Sequence, residues 1–164
     1  MSTLRIIDIV DGTAVDGPGL RTSIYTAGCA HECPGCHNAH TWPFDAGREA
    51  GTEELMERIR YNDFDVTFSG GDPMYQVEAL LPLAREIKAC GYSIWCYTGF
   101  TFEQLLAMPA QRRLLECVDV LVDGPFVQDR KRDNLRFRGS DNQRIIDVAA
   151  SLQASEAVLL PGYE

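Results

Sequence analysis

The chain has no apolar run approaching the roughly 18 residues that a membrane helix needs. Its first residues, Met1-Ser2-Thr3-Leu4-Arg5-Ile6-Ile7-Asp8, lack the long apolar core of a signal peptide. These two absences point to a cytoplasmic protein. Positive charge is scarce as well: 15 Lys and Arg stand against 24 Asp and Glu, and the net charge of −9 argues against a general nucleic-acid binder. No internal repeat, low-complexity segment or linker divides the chain, so residues 1–164 read as a single domain. Nor is there an obvious His–carboxylate or Ser–His pair for acid–base or nucleophilic catalysis. At this size, with 45% apolar residues, the chain buries a core without needing disulfides or a metal to fold.

What the chain does have is a cluster of cysteines. Of six, three fall together as Cys29, Cys33 and Cys36 in the run Cys-Ala-His-Glu-Cys-Pro-Gly-Cys. In a cytoplasmic setting such clustering favours metal binding or catalysis over disulfides. Three thiolates on one short loop can hold three corners of an iron–sulfur cube and leave one iron open to a small molecule. The rival is a structural zinc site, Cys3His, with His31, His37 or His40 as fourth ligand. Spacing alone leaves both open. Cys90, Cys96 and Cys117 are scattered among apolar neighbours and read as buried, inert thiols.

Strand-like and helix-like segments alternate along the chain. Leu4–Val10, Arg21–Ala27, Phe64–Phe68, Tyr92–Tyr97 and Val118–Val122 read as strands. Helices are expected over Glu53–Tyr61, capped by Thr52, over Tyr75–Ala89, and over Ala110–Cys117, with a capping box at Thr101 and Gln104. Pro82 should kink the second of these or mark its true start. Alternation of this kind indicates parallel βαβ units; about four or five such strands are visible, and a closed eight-stranded barrel typically needs about 250 residues. The expected fold is α/β, a partial, open β/α barrel. Its loops after the C-terminal strand ends should carry the ligands. The irregular segment 123–142 holds Arg130, Lys131, Arg132, Arg136 and Arg138, with Arg144 beyond. It reads either as a solvated loop or as a basic patch facing an acidic surface or anion.

A second motif separates the two readings of the cysteines. Ser69-Gly70-Gly71-Asp72-Pro73 follows the strand after the cysteine loop, and adjacent glycines let backbone groups approach a ligand. With this pair of motifs the chain resembles the radical S-adenosylmethionine (SAM) superfamily. Within it, the chain resembles the activating proteins of anaerobic (class III) ribonucleoside-triphosphate reductases. The narrower likeness rests on Asp16-Gly17-Pro18-Gly19 with Arg21, on Gly28 to Asn38 through the cysteines, and on Thr41-Trp42. It continues through Tyr97-Thr98-Gly99-Phe100, Val120 to Phe126, Arg138-Gly139-Ser140 and Asn142-Gln143. Pro34 follows the second cysteine where many superfamily members carry an aromatic residue. His37 stands where tyrosine is frequent, and the Asp-x-Lys motif of larger activases has no clear counterpart beyond Asp123-Gly124-Pro125.

The resemblance implies a [4Fe–4S] cluster on Cys29, Cys33 and Cys36, with S-adenosyl-L-methionine chelating the fourth iron. It implies contacts to SAM from Gly35, Cys36, His37, Gly70, Gly71 and Asp72. Reductive cleavage would yield methionine and a 5′-deoxyadenosyl radical that takes a hydrogen from a glycine of the reductase large subunit. The electron would come from reduced flavodoxin or a similar donor. His31 is expected to be structural, Asn38 to tie the loop backbone, and Trp42 and Trp95 to pack. Tyr97 and Thr98 are candidates to line the SAM cavity, and Asp16 and Arg21 to order the loop over the cluster. Other readings are activation of another glycyl radical enzyme such as pyruvate formate-lyase, a small-molecule radical reaction, or a zinc-stabilised binding module.

Overall fold

The structure, a computed structural model, describes residues 3–31, 33–36, 40 and 42–163. Its strands are β1 (Thr3–Thr13), β2 (Arg21–Thr26), β3 (Arg48–Gly51), β4 (Asp65–Gly70), β5 (Ile94–Tyr97), β6 (Val120–Asp123) and β7 (Arg144–Asp147). The helices are α1 (Thr52–Asn62), α2 (Val77–Ala89), α3 (Phe102–Leu106), α4 (Pro109–Leu115) and α5 (Val148–Ala154). The strands form one sheet in the order β3-β1-β2-β4-β5-β6-β7. Its centre is parallel, from β2 through β4 and β5 to β6, as the alternating pattern requires. The flanks are antiparallel: β3 and β2 both pair with β1, and β7 with β6. This is the open, partial barrel expected from the sequence.

Strand alternation divides the sheet into two faces. Ile24, Val66, Phe68, Ile94, Cys96 and Leu121 point into the larger core, where Leu55, Ile59, Leu80, Leu83, Ile87, Phe102 and Leu114 pack on them from the helices. The opposite face is smaller and more polar. Trp95, Val120, Val122 and Ile145 form a minor cluster there with Tyr97, Phe137 and Tyr163. Arg21 lies beside it, almost fully buried, donating to the Thr67 hydroxyl at 2.9 Å and to the Val66 and Pro18 carbonyls at 3.0 and 3.2 Å. Its guanidinium stands 5.7 Å from the Trp95 ring centre, and burial pulls its pKa below the usual guanidinium value. Arg21 thus braces the sheet beneath the β1–β2 loop.

Several sequence expectations need correction. Gly51, not Thr52, holds the cap position of α1, and Thr52 is the first helical residue. The segment Pro73–Tyr75 is a separate 3-10 turn, and α2 starts at Val77 and runs through Pro82. Pro82 lies in the second turn, so only the carbonyl of Glu78 loses its helical partner. The strands β3 and β7 and the helix α5 carry no strong periodicity in four to seven residues and were not read from the sequence. The capping box at Thr101 and Gln104 is present. Cys96 is buried and Cys117 half-buried, but Cys90 is exposed at the end of α2. Among the described residues no helix is long and apolar enough to cross a membrane.

Candidate functional site

The cysteine loop leaves the C-terminal end of β2 beside the turn that leaves β4, because the two strands are parallel neighbours in register from Arg21 with Asp65 to Thr26 with Gly70. Backbone bonds then lock the two departures together. Gly71 N–H donates to the Thr26 carbonyl and Asp72 N–H to the Gly28 carbonyl, both at 2.8 Å. A Cβ on residue 71 would lie 2.5 Å from the Gly28 oxygen, so glycine is what allows this approach. The Gln76 side-chain amide completes the joint. It accepts from Arg5 N–H and donates to the Arg5 and Ala27 carbonyls, each at 2.8 Å. Further along, Cys29 N–H donates to the Trp42 carbonyl and Cys36 N–H to the Cys33 carbonyl, both at 3.1 Å.

A cavity of about 580 Å³ opens over these strand ends, within the range of small-molecule sites. Cys29, Cys33 and Cys36 line it together with Ser69, Gly70 and Gly71. The wall from β5 brings Tyr97 and Thr98, and Asp16 and Trp42 reach it from their loops. The remaining wall comes from the irregular segment after β6, through Phe126, Leu135, Phe137, Arg138 and Gln143. Burial, above all, pushes the Cys33 thiol up, and nearby Cys36 adds to the shift. A metal centre would reverse that preference, because coordinating thiolates are deprotonated outright. Tyr25 donates to the Asp16 carboxylate, and burial followed by this bond raises the Tyr25 pKa. The Tyr97 hydroxyl is buried without a partner among the described residues, and burial raises it also.

The predicted site residues do not all face this cavity. Asp72 is fully buried, and its carboxylate turns inward instead of toward the cavity. Oδ2 meets His31 Nε2 at 2.7 Å and accepts from the Thr98 hydroxyl and Gly99 N–H at 2.9 Å, while Oδ1 accepts from Met74 N–H at 3.0 Å. The sequence reading of Asp72 as a cofactor contact is therefore replaced by a tie among three loops. His31 is a structural partner in it, as expected. Its ring is seated edge-on against Phe100 with centres 4.6 Å apart. A Cβ at position 99 would come within 2.5 Å of that ring, which explains glycine there. Gly35 packs against the Gln128 side chain and is not part of the cavity lining. His37, Asn38 and Thr41 lie outside the described residues. His40 is exposed.

The sequence reading missed Gln76 as the stitch between β1, β2 and the β4 turn, and it left the segment after β6 undecided. The second had a signal: Phe126, Leu135 and Phe137 are apolar residues spaced through a cationic run, as a wall with one wet side would be.

The family described as a 4Fe-4S single cluster domain matches residues 15–146. The anaerobic ribonucleoside-triphosphate reductase-activating protein of Salmonella typhimurium is 41% identical over 140 residues, 79% of this chain and 89% of that protein. The protein of the same name from Escherichia coli K12 is 40% identical over 141 residues, with the same coverage. The chain belongs to the family of anaerobic ribonucleoside-triphosphate reductase-activating proteins. A more distant member, from enterobacteria phage T4, is 34% identical over 139 residues, covering 80% of this chain and 86% of its own length. Among solved structures, QueE from Escherichia coli shares the fold with a TM-score of 0.52 at 23% identity, over 60% of this chain and 54% of QueE.

Proposed function

We propose that this chain, acting as a single domain, is a radical SAM activase that generates a glycyl radical on anaerobic ribonucleoside-triphosphate reductase. The observation that carries this reading is the meeting of Cys29, Cys33 and Cys36 with the Gly70-Gly71 turn around one cavity. The residues fit the cluster that the family description names. Three sulfur donors, the ligand type such a cluster takes, line one cavity, although among the described residues they are not gathered into a ready-made metal-holding group, and Phe126, Leu135 and Phe137 add an apolar wall to it. A reduced [4Fe–4S] cluster held here would supply one electron for cleavage of a sulfonium carbon–sulfur bond of SAM, a reaction that would give methionine and a 5′-deoxyadenosyl group able to take a hydrogen atom from glycine.

The chain's own residues do the positioning. Cys29, Cys33 and Cys36 would hold three irons. Backbone carbonyls at Gly70 and Gly71 would receive the methionyl amino group, close to the loop because Gly71 permits the approach to Gly28. Cys36, Tyr97 and Thr98 would flank the rest of SAM. Thr98 is held for this by its bond to Asp72. No side chain is asked to act as a general acid or base. Reduced flavodoxin or a donor like it supplies the electron, and the reaction takes place in the cytoplasm.

The reading is tested by reconstituting the protein anaerobically with iron and sulfide, reducing it with dithionite and adding SAM. The expected result is a brown protein with about four irons per chain that releases 5′-deoxyadenosine and methionine in equal amounts. A colourless protein that holds one zinc and leaves SAM intact would overturn it.

A further inference from the structure

The segment from Pro125 to Gln143 holds the largest concentration of positive charge in the molecule. Between residues 129 and 138 lie five cations and two carboxylates, one third of all the Lys and Arg in a chain whose net charge is −9. The same segment forms one wall of the cavity, and Arg138 is the cation among its lining residues.

The segment is ordered by a dense set of bonds. Val127 N–H donates to the Ser140 hydroxyl at 3.1 Å, and Asp141 N–H to the Arg130 carbonyl at 2.9 Å. The Asn142 side chain donates to the Pro125 carbonyl and that of Gln143 to the Gly124 carbonyl, at 2.8 and 3.0 Å. Gln143 also accepts from Gly139 and Ser140 N–H. Phe137, a non-glycine residue, takes a left-handed conformation at φ 61°, a strain that fixed loops hold where the surroundings over-determine them. Through that kink Phe137 reaches Trp95 on the inner sheet face, and Arg136 is carried outward over the rings of Phe137 and Tyr163 at 5.3 and 4.9 Å.

Two of the cations are used internally, Arg130 and Arg132 on Asp141. Arg144, just beyond the segment, is bound to Asp123 and Glu103. Lys131 and Arg136 are exposed and have no acidic partner among the described residues. A rigid loop that keeps cations outward on an acidic protein is suited to steering a negatively charged partner and fixing its orientation.

We infer that the loop 125–143 is a docking edge for an acidic polypeptide segment of the reductase, holding it so that the target glycine enters the cavity beside Phe126 and Leu135. This rests on the activase reading. A polypeptide is the occupant because the edge borders the cavity into which that reading places a backbone glycine, and a negative one because the edge is positive while the remainder of the chain is strongly acidic.

The test measures binding of the whole protein to purified anaerobic reductase by calorimetry at 50 and 300 mM salt. The variants are Lys131→Glu, Arg136→Gln and the pair together, with Lys131→Arg as a control. The expected outcome is binding that weakens with salt, an affinity at least about tenfold lower for the pair, and a shallower salt dependence. Lys131→Arg should bind as the parent does, and dithionite-driven cleavage of SAM without reductase should be unchanged in all of them. Equal affinity and equal salt dependence in parent and pair would overturn the docking edge alone. A parent that does not bind the reductase at all would overturn the activase reading with it.

Discussion

Cys33→Ala is expected to lose the cluster and the activity together. Two thiolates cannot hold a cubane that needs at least three protein corners and a ligand on the fourth iron. Iron should fall from about four per chain to below about one, and SAM cleavage by at least about a hundredfold. Cys33 stands on a loop outside both apolar clusters, so the fold itself should survive. Burial pushes its thiol up, and backbone hydrogen bonds offset this only in part. The experiment compares iron content, visible absorption and far-ultraviolet circular dichroism of the reconstituted variant with the parent. A folded variant with full iron and full cleavage would remove Cys33 from the ligand set, and with it the three-cysteine account.

Asp72 is the second position where a large effect is expected, and for a different reason. Its carboxylate ends four hydrogen bonds from three separate loops. Alanine would leave the Thr98 hydroxyl, two backbone N–H groups and the His31 ring without their acceptor in a buried place. Each such loss costs about 1–3 kcal/mol, so Asp72→Ala should lower stability by roughly 3 kcal/mol or more, a fall in Tm of about 6–12 °C for a chain of this size. Asparagine keeps the shape but offers one oxygen in place of two. Turned toward His31, Thr98 and Gly99, that oxygen leaves Met74 N–H facing an amide nitrogen; turned the other way, it sets N–H against N–H at Gly99. Asp72→Asn should therefore lose about half as much. Because the tie also fixes the cysteine loop through His31, the electron paramagnetic resonance spectrum of the reduced cluster should change in Asp72→Ala and return toward normal in Asp72→Asn. Melting curves and spectra that match the parent in both variants would show that the tie carries no weight.

The central part of the fold was legible because strands such as Phe64–Phe68 and Tyr92–Tyr97 are short apolar runs bounded by turn residues, and because α2 has a clear apolar face. The edges were not. β3 is four residues, Arg-Glu-Ala-Gly, with only Ala50 buried, and it becomes a strand solely because Leu4 and Arg5 of β1 present an open ladder to it. β7 gains its place the same way, from β6. For the site, cysteine spacing and the double glycine named residues that the structure brings around one cavity, because both are backbone-level requirements written in residue type. The role of Asp72 was not legible. A carboxylate next to a ligand-facing glycine pair looks the same in sequence whether it turns outward or inward. Its direction is decided by Thr98, Gly99 and His31, which only the parallel sheet brings beside it. The cationic segment was read as either solvated loop or patch, and it is an ordered wall because Phe126 and Phe137 anchor it to the cavity and to Trp95.

The central claim is that the cavity formed by Cys29, Cys33, Cys36 and the Gly70-Gly71 turn delivers a radical to a glycine of another protein. The most direct measurement is electron paramagnetic resonance of the anaerobic reductase after incubation with the reduced, cluster-loaded protein and SAM. The expected result is a glycyl doublet that grows with the release of 5′-deoxyadenosine and collapses to a singlet when the reductase carries glycine deuterated at the α-carbon. A reductase that stays silent while SAM is cleaved, with no deuterium passing into 5′-deoxyadenosine, would contradict the account.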